Sequence, residues 1–336
     1  MKKKEQRKMY EHVTKLLYSV ESVALFMHIN PDADCVGSSL AMYKYLTNLG
    51  KKVDVFLEPF EEIRDNLYIL PNIEIINANS PASNYDLGIA LDCASPTRLG
   101  KKMLKVLENC CEIKISFDHH KSYSKFTDIL VLESNSASTT QILYKFFKEN
   151  DKEAIDLEVA TCLYAGLVSD SGNFSYNSTT VETFEVASEL IAYGVDHTLL
   201  ARVLYLETSY NAFNLSLRVL SNAIFHCDKK LAIITFSFDD FKSTSTKLVD
   251  TEGIVNSLVN VKEVLLALSI VEISNNEFKV GLRSKGNFDS SLIAEYFGGG
   301  GHKNASGCKV FGSKLEVLDK LVSISKYYIE KYDENL

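Results

Sequence analysis

Four short clusters of acidic and imidazole side chains could carry chemistry in this sequence. They lie at residues 28–34 (His-Ile-Asn-Pro-Asp-Ala-Asp), at Asp92, at residues 118–120 (Asp-His-His) and at residues 169–174 (Ser-Asp-Ser-Gly-Asn-Phe). Carboxylates and imidazoles together suit divalent ions such as Mn, Fe, Co or Zn. A carboxylate can bridge two ions, and two ions roughly 3.5–4 Å apart can clamp a phosphate for in-line attack. The clusters therefore indicate a two-metal site.

Three of the clusters directly follow apolar runs that are typical of buried strands. These runs are residues 23–28, 87–91 and 112–117, and another run at 53–57 lies between helical patterns such as 36–49. Alternating strands and helices predict a parallel sheet with helices on both faces, which is an α/β fold. Ligands bind at the carboxyl edge of such sheets, so clusters far apart in sequence can meet there.

The second half of the chain has a different pattern. Residues 223–236 and 264–283 each read as two strands joined by a short polar turn, and helical patterns follow at 290–297 and 314–331. We therefore predict a metal-bearing domain at residues 1–195, a helical linker at 196–218, and a smaller mixed-sheet α/β domain at 219–336. The linker lacks Gly, Ser and Pro richness, which favours a helix over a flexible segment.

Each cluster also has an ordinary interpretation. An aspartate after a strand is usually a helix N-cap, and a single histidine is usually a hydrogen-bonded structural residue. For one cluster alone we would prefer that interpretation. Two histidines and several aspartates that end different strands are hard to produce by capping alone, so the whole set favours metal binding or catalysis.

Composition limits the classes of function. The chain has 336 residues, 36 Lys+Arg against 44 Asp+Glu and a formal charge of -8, which argues against a protein that coats long duplex nucleic acid. The seven cysteines include no Cys-x-x-Cys pair, which favours reduced thiols and a cytoplasmic location. The apolar segments are shorter than the ~18 residues that a membrane-spanning helix needs.

A second candidate site lies in the C-terminal half. Residues 298–301 are four consecutive glycines followed by His302, and glycines allow backbone N–H groups to approach a phosphate closely. Arg283 ends a predicted strand, and its planar guanidinium suits phosphate recognition. The alternatives are a helix C-cap for the glycines and a surface charge for Arg283.

The four acidic and imidazole clusters at residues 28–34, 92, 118–120 and 169–174, taken in order, resemble the four motifs of the DHH phosphoesterase superfamily. Residues 297–307 (Phe-Gly-Gly-Gly-Gly-His-Lys-Asn-Ala-Ser-Gly) resemble the signature of its accessory domain, DHHA1. The resemblance covers roughly residues 10–330, and it is greatest to bacterial oligoribonuclease/3′-phosphoadenosine 5′-phosphate (PAP) phosphatases and their cyclic-dinucleotide-cleaving relatives. Ala33 stands where the family commonly has Gly, which changes loop freedom rather than ligand chemistry.

The resemblance implies a role for each motif residue. Two Mn²⁺ ions per chain are implied, with other divalent ions as alternatives. One ion would be held by His28, Asp32 and Asp92, and the other by Asp34, Asp92, His119 and Asp170, with Asp92 bridging. His120 would contact the scissile phosphate or assist the leaving oxygen, and Asp118 would orient the imidazoles. In the DHHA1 domain, Arg283, Gly299, Gly300, Gly301 and His302 would bind the terminal phosphate and base of the substrate.

The implied activity is hydrolysis of short oligoribonucleotides such as pApA, of PAP, or of both, to mononucleotides by a hydroxide that two metals activate. A cyclic-di-AMP phosphodiesterase is the nearest alternative. A pyrophosphatase is disfavoured by the nucleoside-sized pocket, and a non-catalytic nucleotide or single-strand binder by the intact ligand set. The expected partners are short RNA or a small nucleotide, without a membrane or long duplex, and the family suggests a homodimer.

Overall fold

The computed structural model describes residues 3–334 and divides into two compact units, with the boundary between Glu207 and Thr208. This boundary lies within the segment predicted as a linker. That segment contains a short helix, one π-helical turn at Arg202–Leu206 and the first residues of a further helix. No helix in the described part of the chain combines the length and apolar character needed to cross a bilayer.

The first unit contains a five-stranded parallel sheet, which confirms the predicted fold class. Its strands, in spatial order β2-β1-β3-β4-β5, are β1 (Ser22–Phe26), β2 (Lys52–Phe56), β3 (Tyr85–Leu91), β4 (Cys111–Asp118) and β5 (Ile129–Leu132). The sequence pattern did not predict β5. This strand has only four residues and is mostly half-buried at the sheet edge, so its apolar signal is short.

Helices cover both faces of this sheet. They are α1 (Lys3–Ser19), α2 (Ala33–Asn48), α3 (Lys101–Cys110), α4 (Thr139–Asn150), α5 (Leu157–Asp170), α6 (Val181–Ala192) and α7 (His197–Ala201). Leu25 and Ile89 pack with α1, α2, α4 and α5 on one face, whereas Phe26 and Ala90 pack with α3 on the other. Successive strand residues thus serve opposite cores, as the two-residue period of a strand requires.

The second unit contains a six-stranded mixed sheet, also as predicted. Its strands, in spatial order β10-β11-β9-β8-β7-β6, are β6 (Ile224–His226), β7 (Leu231–Phe236), β8 (Leu266–Ser274), β9 (Glu277–Ser284), β10 (Gly300–His302) and β11 (Ala305–Phe311). Only the β7–β8 pair is parallel among the pairs of this sheet in the described residues. Its helices are α8 (Tyr210–Leu220), α9 (Phe238–Thr244), α10 (Ile254–Val259), α11 (Ser291–Tyr296) and α12 (Lys314–Asp333).

The structure places part of the glycine run in a strand. Gly300–His302 form β10, which pairs antiparallel with β11. A Cβ at Gly299 would lie 2.2 Å from the carbonyl oxygen of Gly307, so only glycine allows the two chain segments to approach this closely. The glycines therefore allow β10 and β11 to form a close hairpin, in addition to ending α11.

Candidate metal centre

The predicted ligands converge at the carboxyl edge of the parallel sheet. The strands β1, β3 and β4 are neighbours, and their following loops carry His28, Asp92 and His119. The position between β1 and β3 is where the strand order reverses, which is where open α/β sheets bind ligands. Asp34 lies in the first turn of α2 and Asp170 is the last residue of α5, and both side chains reach the same edge.

The first cluster consists of His28, Asp32 and Asp92. The Nε2 atom of His28 lies 3.5 Å from Asp92 Oδ2 and 3.9 Å from Asp32 Oδ2. On the other side of the ring, Nδ1 lies 2.8 Å from the carbonyl oxygen of Ile29. The ring thus directs Nε2 toward both carboxylates and Nδ1 toward a backbone carbonyl oxygen, which is the usual arrangement of a metal-binding imidazole.

The second cluster consists of Asp34, His119 and Asp170. The Nε2 atom of His119 lies 3.1 Å from Asp170 Oδ2 and 4.0 Å from Asp34 Oδ2. The same nitrogen lies 3.6 Å from Asp92 Oδ1. Asp92 therefore directs Oδ1 toward the second cluster and Oδ2 toward the first, which is the geometry that a bridging carboxylate needs.

The conformation of Asp92 depends on its surroundings. Its φ of 56° lies in the left-handed region, which aspartate tolerates better than most side chains. The backbone N–H of Asp92 donates to the carbonyl oxygen of Phe117 at 3.0 Å, and Thr139 Oγ1 donates to Asp92 Oδ1 at 2.9 Å. These bonds fix the carboxylate between the two clusters.

The start of α4 holds Asp34. Thr139 N donates to Asp34 Oδ2 at 2.7 Å, while Thr140 donates to Oδ1 through both N (3.0 Å) and Oγ1 (2.8 Å). The neighbouring Ser138 caps α4 by accepting from Gln141 N. Thr139 and Thr140 instead hold the Asp34 carboxylate, and nothing in the sequence distinguishes that role from capping.

Gly166 in α5 is a site residue that sequence reasoning missed. A Cβ at this position would lie 2.7 Å from Asp34 Oδ1 and 2.5 Å from Thr140 Cγ2. The glycine therefore allows α5 to pack against the Asp34 carboxylate and the start of α4. A glycine inside a helix gave no recognisable motif.

Asp118 binds the neighbouring imidazole. Asp118 is fully buried, and its Oδ1 accepts from His120 N at 2.9 Å and lies 2.7 Å from His120 Nδ1. Since an ionised carboxylate only accepts hydrogen bonds, Nδ1 carries the proton. This contact fixes both the tautomer and the orientation of His120, whose Nδ1 lies 3.7 Å from Asp92 Oδ1.

Arg98 is a second residue that sequence reasoning missed. Its Nη2 lies 2.9 Å from His28 Nδ1 and 3.4 Å from His28 Nε2, and its carbonyl oxygen accepts from Ile29 N at 2.7 Å. Arginine is scarce among the basic residues of this sequence, and that scarcity is the signal that could have marked Arg98. A cation thus lies beside the first cluster.

The carboxylates of the site compete for protons. Burial, followed by the charges of Asp92 and Asp170, raises the pKa of Asp34 well above its ordinary value. Burial also raises the pKa of Asp170 to about 6, against the opposing effect of its hydrogen bond with His119. These shifts describe a crowded anionic site that positive charge would stabilise.

The carboxylates also change the pKa values of the imidazoles. Burial alone would lower the pKa of His119, but the hydrogen bond to Asp170 and the nearby carboxylates raise it well above the ordinary value. For Asp92, burial would raise the pKa, but His28, His119 and His120 together lower it. Asp92 and the imidazoles thus favour one another's charged forms.

The donor set fits divalent metal ions. The potential ligand atoms lie within 4.8 Å of one another in both clusters, and also in a third group formed by Asp92, His119 and His120. The atoms are carboxylate oxygens and imidazole nitrogens, which hard-to-borderline ions prefer. The buried His119 Nε2 faces oxygens of Asp34, Asp92 and Asp170, which are ligand atoms for the same ions.

The predicted substrate residues of the second unit lie on one hairpin and its neighbouring strand. His302 on β10 is directly opposite Ala305 on β11, which is directly opposite Arg283 on β9. Directly opposed residues of antiparallel strands share a face, so Arg283 and His302 flank Ala305 on the same face. Arg283 Nη1 also donates to the carbonyl oxygen of Leu282 at 3.0 Å.

The next row on this face has no side chains. Gly300 is opposite Gly307, which in turn is opposite Gly281. Because residues two apart on a strand point the same way, this row adjoins Arg283 and His302 on the same face. The result is a bare backbone surface, beside an arginine and a histidine, that a flat group could approach closely.

The chain belongs to the DHH phosphoesterase family. The model of the DHH family N-terminal domain matches residues 22–167, and the model of the DHHA1 domain matches residues 232–331. The chain is therefore a phosphoesterase, which is a hydrolase, and the resemblance proposed from its motifs is confirmed.

Its similarity to individual proteins extends over nearly the full length. The chain is 30% identical over 316 residues to the bifunctional oligoribonuclease and PAP phosphatase NrnA of Thermus thermophilus, covering 90% of this chain and 89% of that protein. It is 25% identical to the protein of the same name from Bacillus subtilis, covering 87% and 90%. A crystal structure of an exopolyphosphatase-related protein from Bacteroides fragilis is 28% identical with a TM-score of 0.87, covering 97% and 96%.

Proposed function

We propose that this chain hydrolyses short oligoribonucleotides, such as pApA, and PAP to mononucleotides. The observation that carries this proposal is Asp92, whose two carboxylate oxygens face two different groups of metal-ligand side chains. Relatives that match most of the chain are named for oligoribonuclease and PAP phosphatase activities, which supports these substrates.

The proposed cofactor is a pair of Mn²⁺ ions, for which the site offers only oxygen and nitrogen ligands. His28, Asp32 and Asp92 would hold one ion, and Asp34, Asp92, His119 and Asp170 the other. When bound, such ions supply an activated hydroxide and stabilise charge on the phosphate. Other divalent ions with the same ligand preference are alternatives to Mn²⁺.

His120 is the proposed proton donor to the leaving ribose oxygen. Asp118 accepts from Nδ1 of His120, so Nε2 is the atom that would exchange this proton. Burial would lower the pKa of His120, but its bond to Asp118 and the nearby Asp92 raise it, which favours the protonated imidazole. An imidazole that Asp118 keeps in place and charged suits general acid catalysis.

The proposed substrate-recognition residues are Arg283, Gly299, Gly300, Gly301 and His302. Arg283 would bind a terminal phosphate, since its guanidinium can make two parallel hydrogen bonds to phosphate oxygens. The glycine row beside it would admit the base or sugar against the backbone. His302 would stack on the base or hydrogen-bond to it.

Organisation and location complete the proposal. We propose a catalytic domain at residues 1–195, a helical linker at 196–218 and a substrate-binding domain at 219–336, and a homodimer as the assembly. The net charge of -8 argues against long duplexes as substrates. All seven cysteines are free thiols, which supports a cytoplasmic location.

A substrate panel tests this function directly. Purified protein with Mn²⁺ is assayed side by side on PAP, pApA, cyclic-di-AMP, a five-nucleotide RNA and pyrophosphate. We expect turnover of pApA or PAP, release of AMP, and loss of activity with a chelator. Hydrolysis of pyrophosphate alone would overturn the nucleotide proposal, and a preference for cyclic-di-AMP would replace it with the cyclic-dinucleotide activity.

A further inference from the structure

A strained aromatic residue lies in the turn that follows β2. In residues 58–61 (Glu-Pro-Phe-Glu), Glu61 N donates to the carbonyl oxygen of Glu58 at 3.2 Å. Proline in the second position and a φ of 73° at Phe60 in the third are features of a type II turn, which favours glycine at that third position. The Phe60 side chain is 99% exposed, so no packing in the fold compensates for this strain.

Both ends of this turn are attached to the metal-binding edge. Glu58 Oε2 accepts from Lys102 N at 2.9 Å and from Met103 N at 3.0 Å, at the start of α3. Glu61 Oε2 accepts from Asn30 N at 2.6 Å, and Asn30 lies in the loop between the first-cluster residues His28 and Asp32. The turn that carries the exposed Phe60 is therefore attached to this loop.

Arg98 lies beside the same loop and is hydrogen-bonded to Ile29, the residue before Asn30. The carbonyl oxygen of Arg98 accepts from Ile29 N, and its guanidinium lies against the His28 ring. Arg202 and Arg218 form ion pairs with carboxylates, whereas none of the ion pairs within residues 3–334 involves Arg98. A guanidinium without a carboxylate partner beside metal ligands is suited to bind an anion that arrives with the substrate.

We propose that Phe60 and Arg98 form a nucleotide-binding subsite beside the first cluster. The Arg98 guanidinium binds an oxygen of a substrate phosphate, and the Phe60 ring stacks on one nucleobase. The backbone N–H of Ile29 donates to Arg98, and that of Asn30 donates to Glu61 in the Phe60 turn. Arg98 and this turn are therefore attached to one loop. This inference rests on the proposed nucleotide function and adds a base-recognition element within the catalytic unit.

The test of Phe60 compares pApA with two analogues that each lack one base. Stacking on an aromatic side chain contributes enough that Phe60→Ala should raise the KM for pApA roughly 10- to 100-fold, with little change in kcat. We expect this effect to disappear with one of the two abasic analogues, which identifies the stacked base. An effect that persists in full with both analogues, or no effect on pApA, would overturn the subsite.

Further variants separate stacking from folding. Phe60→Tyr keeps a ring and should retain the wild-type KM, whereas Phe60→Gly relieves the backbone strain and should preserve or raise thermal stability while still weakening pApA. Tyr327→Ala, at an exposed tyrosine on α12, is the matched control and should leave the KM unchanged. A wild-type KM in Phe60→Gly would contradict the proposal.

Arg98 predicts a different pattern. Arg98→Ala should raise the KM for pApA and for both abasic analogues alike, because all three carry the phosphate. Equal KM values for Arg98→Ala and wild type would remove Arg98 from the subsite. AMP binding to the Mn²⁺-loaded protein is measured by calorimetry in parallel. If wild type hydrolyses neither pApA nor PAP, the proposed function fails, while weaker AMP binding by Phe60→Ala would still support the subsite.

Discussion

Two ligand aspartates, one from each cluster, differ in how firmly the fold holds them. In the second cluster, the Asp34 side chain is fully buried and accepts three hydrogen bonds from the start of α4. In the first cluster, the Asp32 side chain is 38% exposed and accepts only from the first turn of its own helix, α2. The other ligands do not follow this contrast, since those of the first cluster are at most 2% exposed and those of the second are 13% and 23% exposed. The difference in support therefore lies between Asp34 and Asp32 rather than between whole clusters.

Removal of Asp92 would break both clusters together. Asp92→Ala should reduce kcat for every substrate by at least about a thousandfold, because it removes a ligand from both metal positions. Steady-state hydrolysis of pApA measures this loss, and circular dichroism checks the fold. Asp319→Ala, at an exposed aspartate of α12, is the control and should remain fully active. Retained turnover in Asp92→Ala would rule out a shared carboxylate.

Weakening the Asp34 attachment would test the rigidity of the second cluster. Thr140→Val removes the Oγ1 donor to Asp34 while keeping the shape of the side chain. Loss of such a supporting hydrogen bond should weaken the tighter Mn²⁺ site by roughly 10- to 100-fold. Isothermal calorimetry measures the affinity, and Thr161→Val, whose hydroxyl only donates to the carbonyl oxygen of Leu157, is the matched control. Equal affinities would show that burial alone fixes Asp34.

Arg283 offers a test of recognition away from the metals. Arg283→Ala should raise the KM for nucleotide substrates by about tenfold, the effect of losing one charge-assisted hydrogen bond. The affinity for Mn²⁺ should stay at the wild-type value, since Arg283 belongs to the other unit. Lys320→Ala on α12 serves as the charge-matched control. An unchanged KM would exclude the phosphate-binding role of Arg283.

The contribution of Asp170 to the pH dependence of metal affinity should give the smallest effect. A proton must leave Asp170 before this carboxylate can bind a metal, and its pKa is raised to about 6. Affinity should therefore fall as the pH decreases through 6, by about fourfold between pH 7.5 and 5.5 for this one group. Asp170→Asn should lose this component of the pH dependence. A flat profile in the wild type would mean that Asp170 does not bind metal.

The sequence predicted the sheet edge and the convergence of the ligands because both follow from local patterns. Each predicted ligand sits in a short motif, and the parallel topology brings the ends of β1, β3 and β4 together. The supports of the site were not predictable in this way. Gly166 and Thr140 meet Asp34 only through the packing of α4 and α5 against α2, which depends on distances between segments remote in sequence.

The turn at Phe60 illustrates the same limit from another side. A Glu-Pro-Phe-Glu sequence signals a turn, but neither the positive φ of Phe60 nor the bond from Asn30 N to Glu61 can be read from it. Likewise, β10 was not predicted, because its pairing with β11 depends on a partner segment with its own glycine, Gly307. Pairings of this kind appear only when both segments are in place.

The left-handed backbone of Asp92 decides which inactive variant is most useful. Alanine at this position would combine the loss of a ligand with a conformation that alanine rarely adopts. Asparagine adopts positive φ readily and has nearly the size of aspartate, so Asp92→Asn would remove the charge with little backbone cost. Such a protein should fold normally yet turn over slowly enough to be crystallised with an intact dinucleotide.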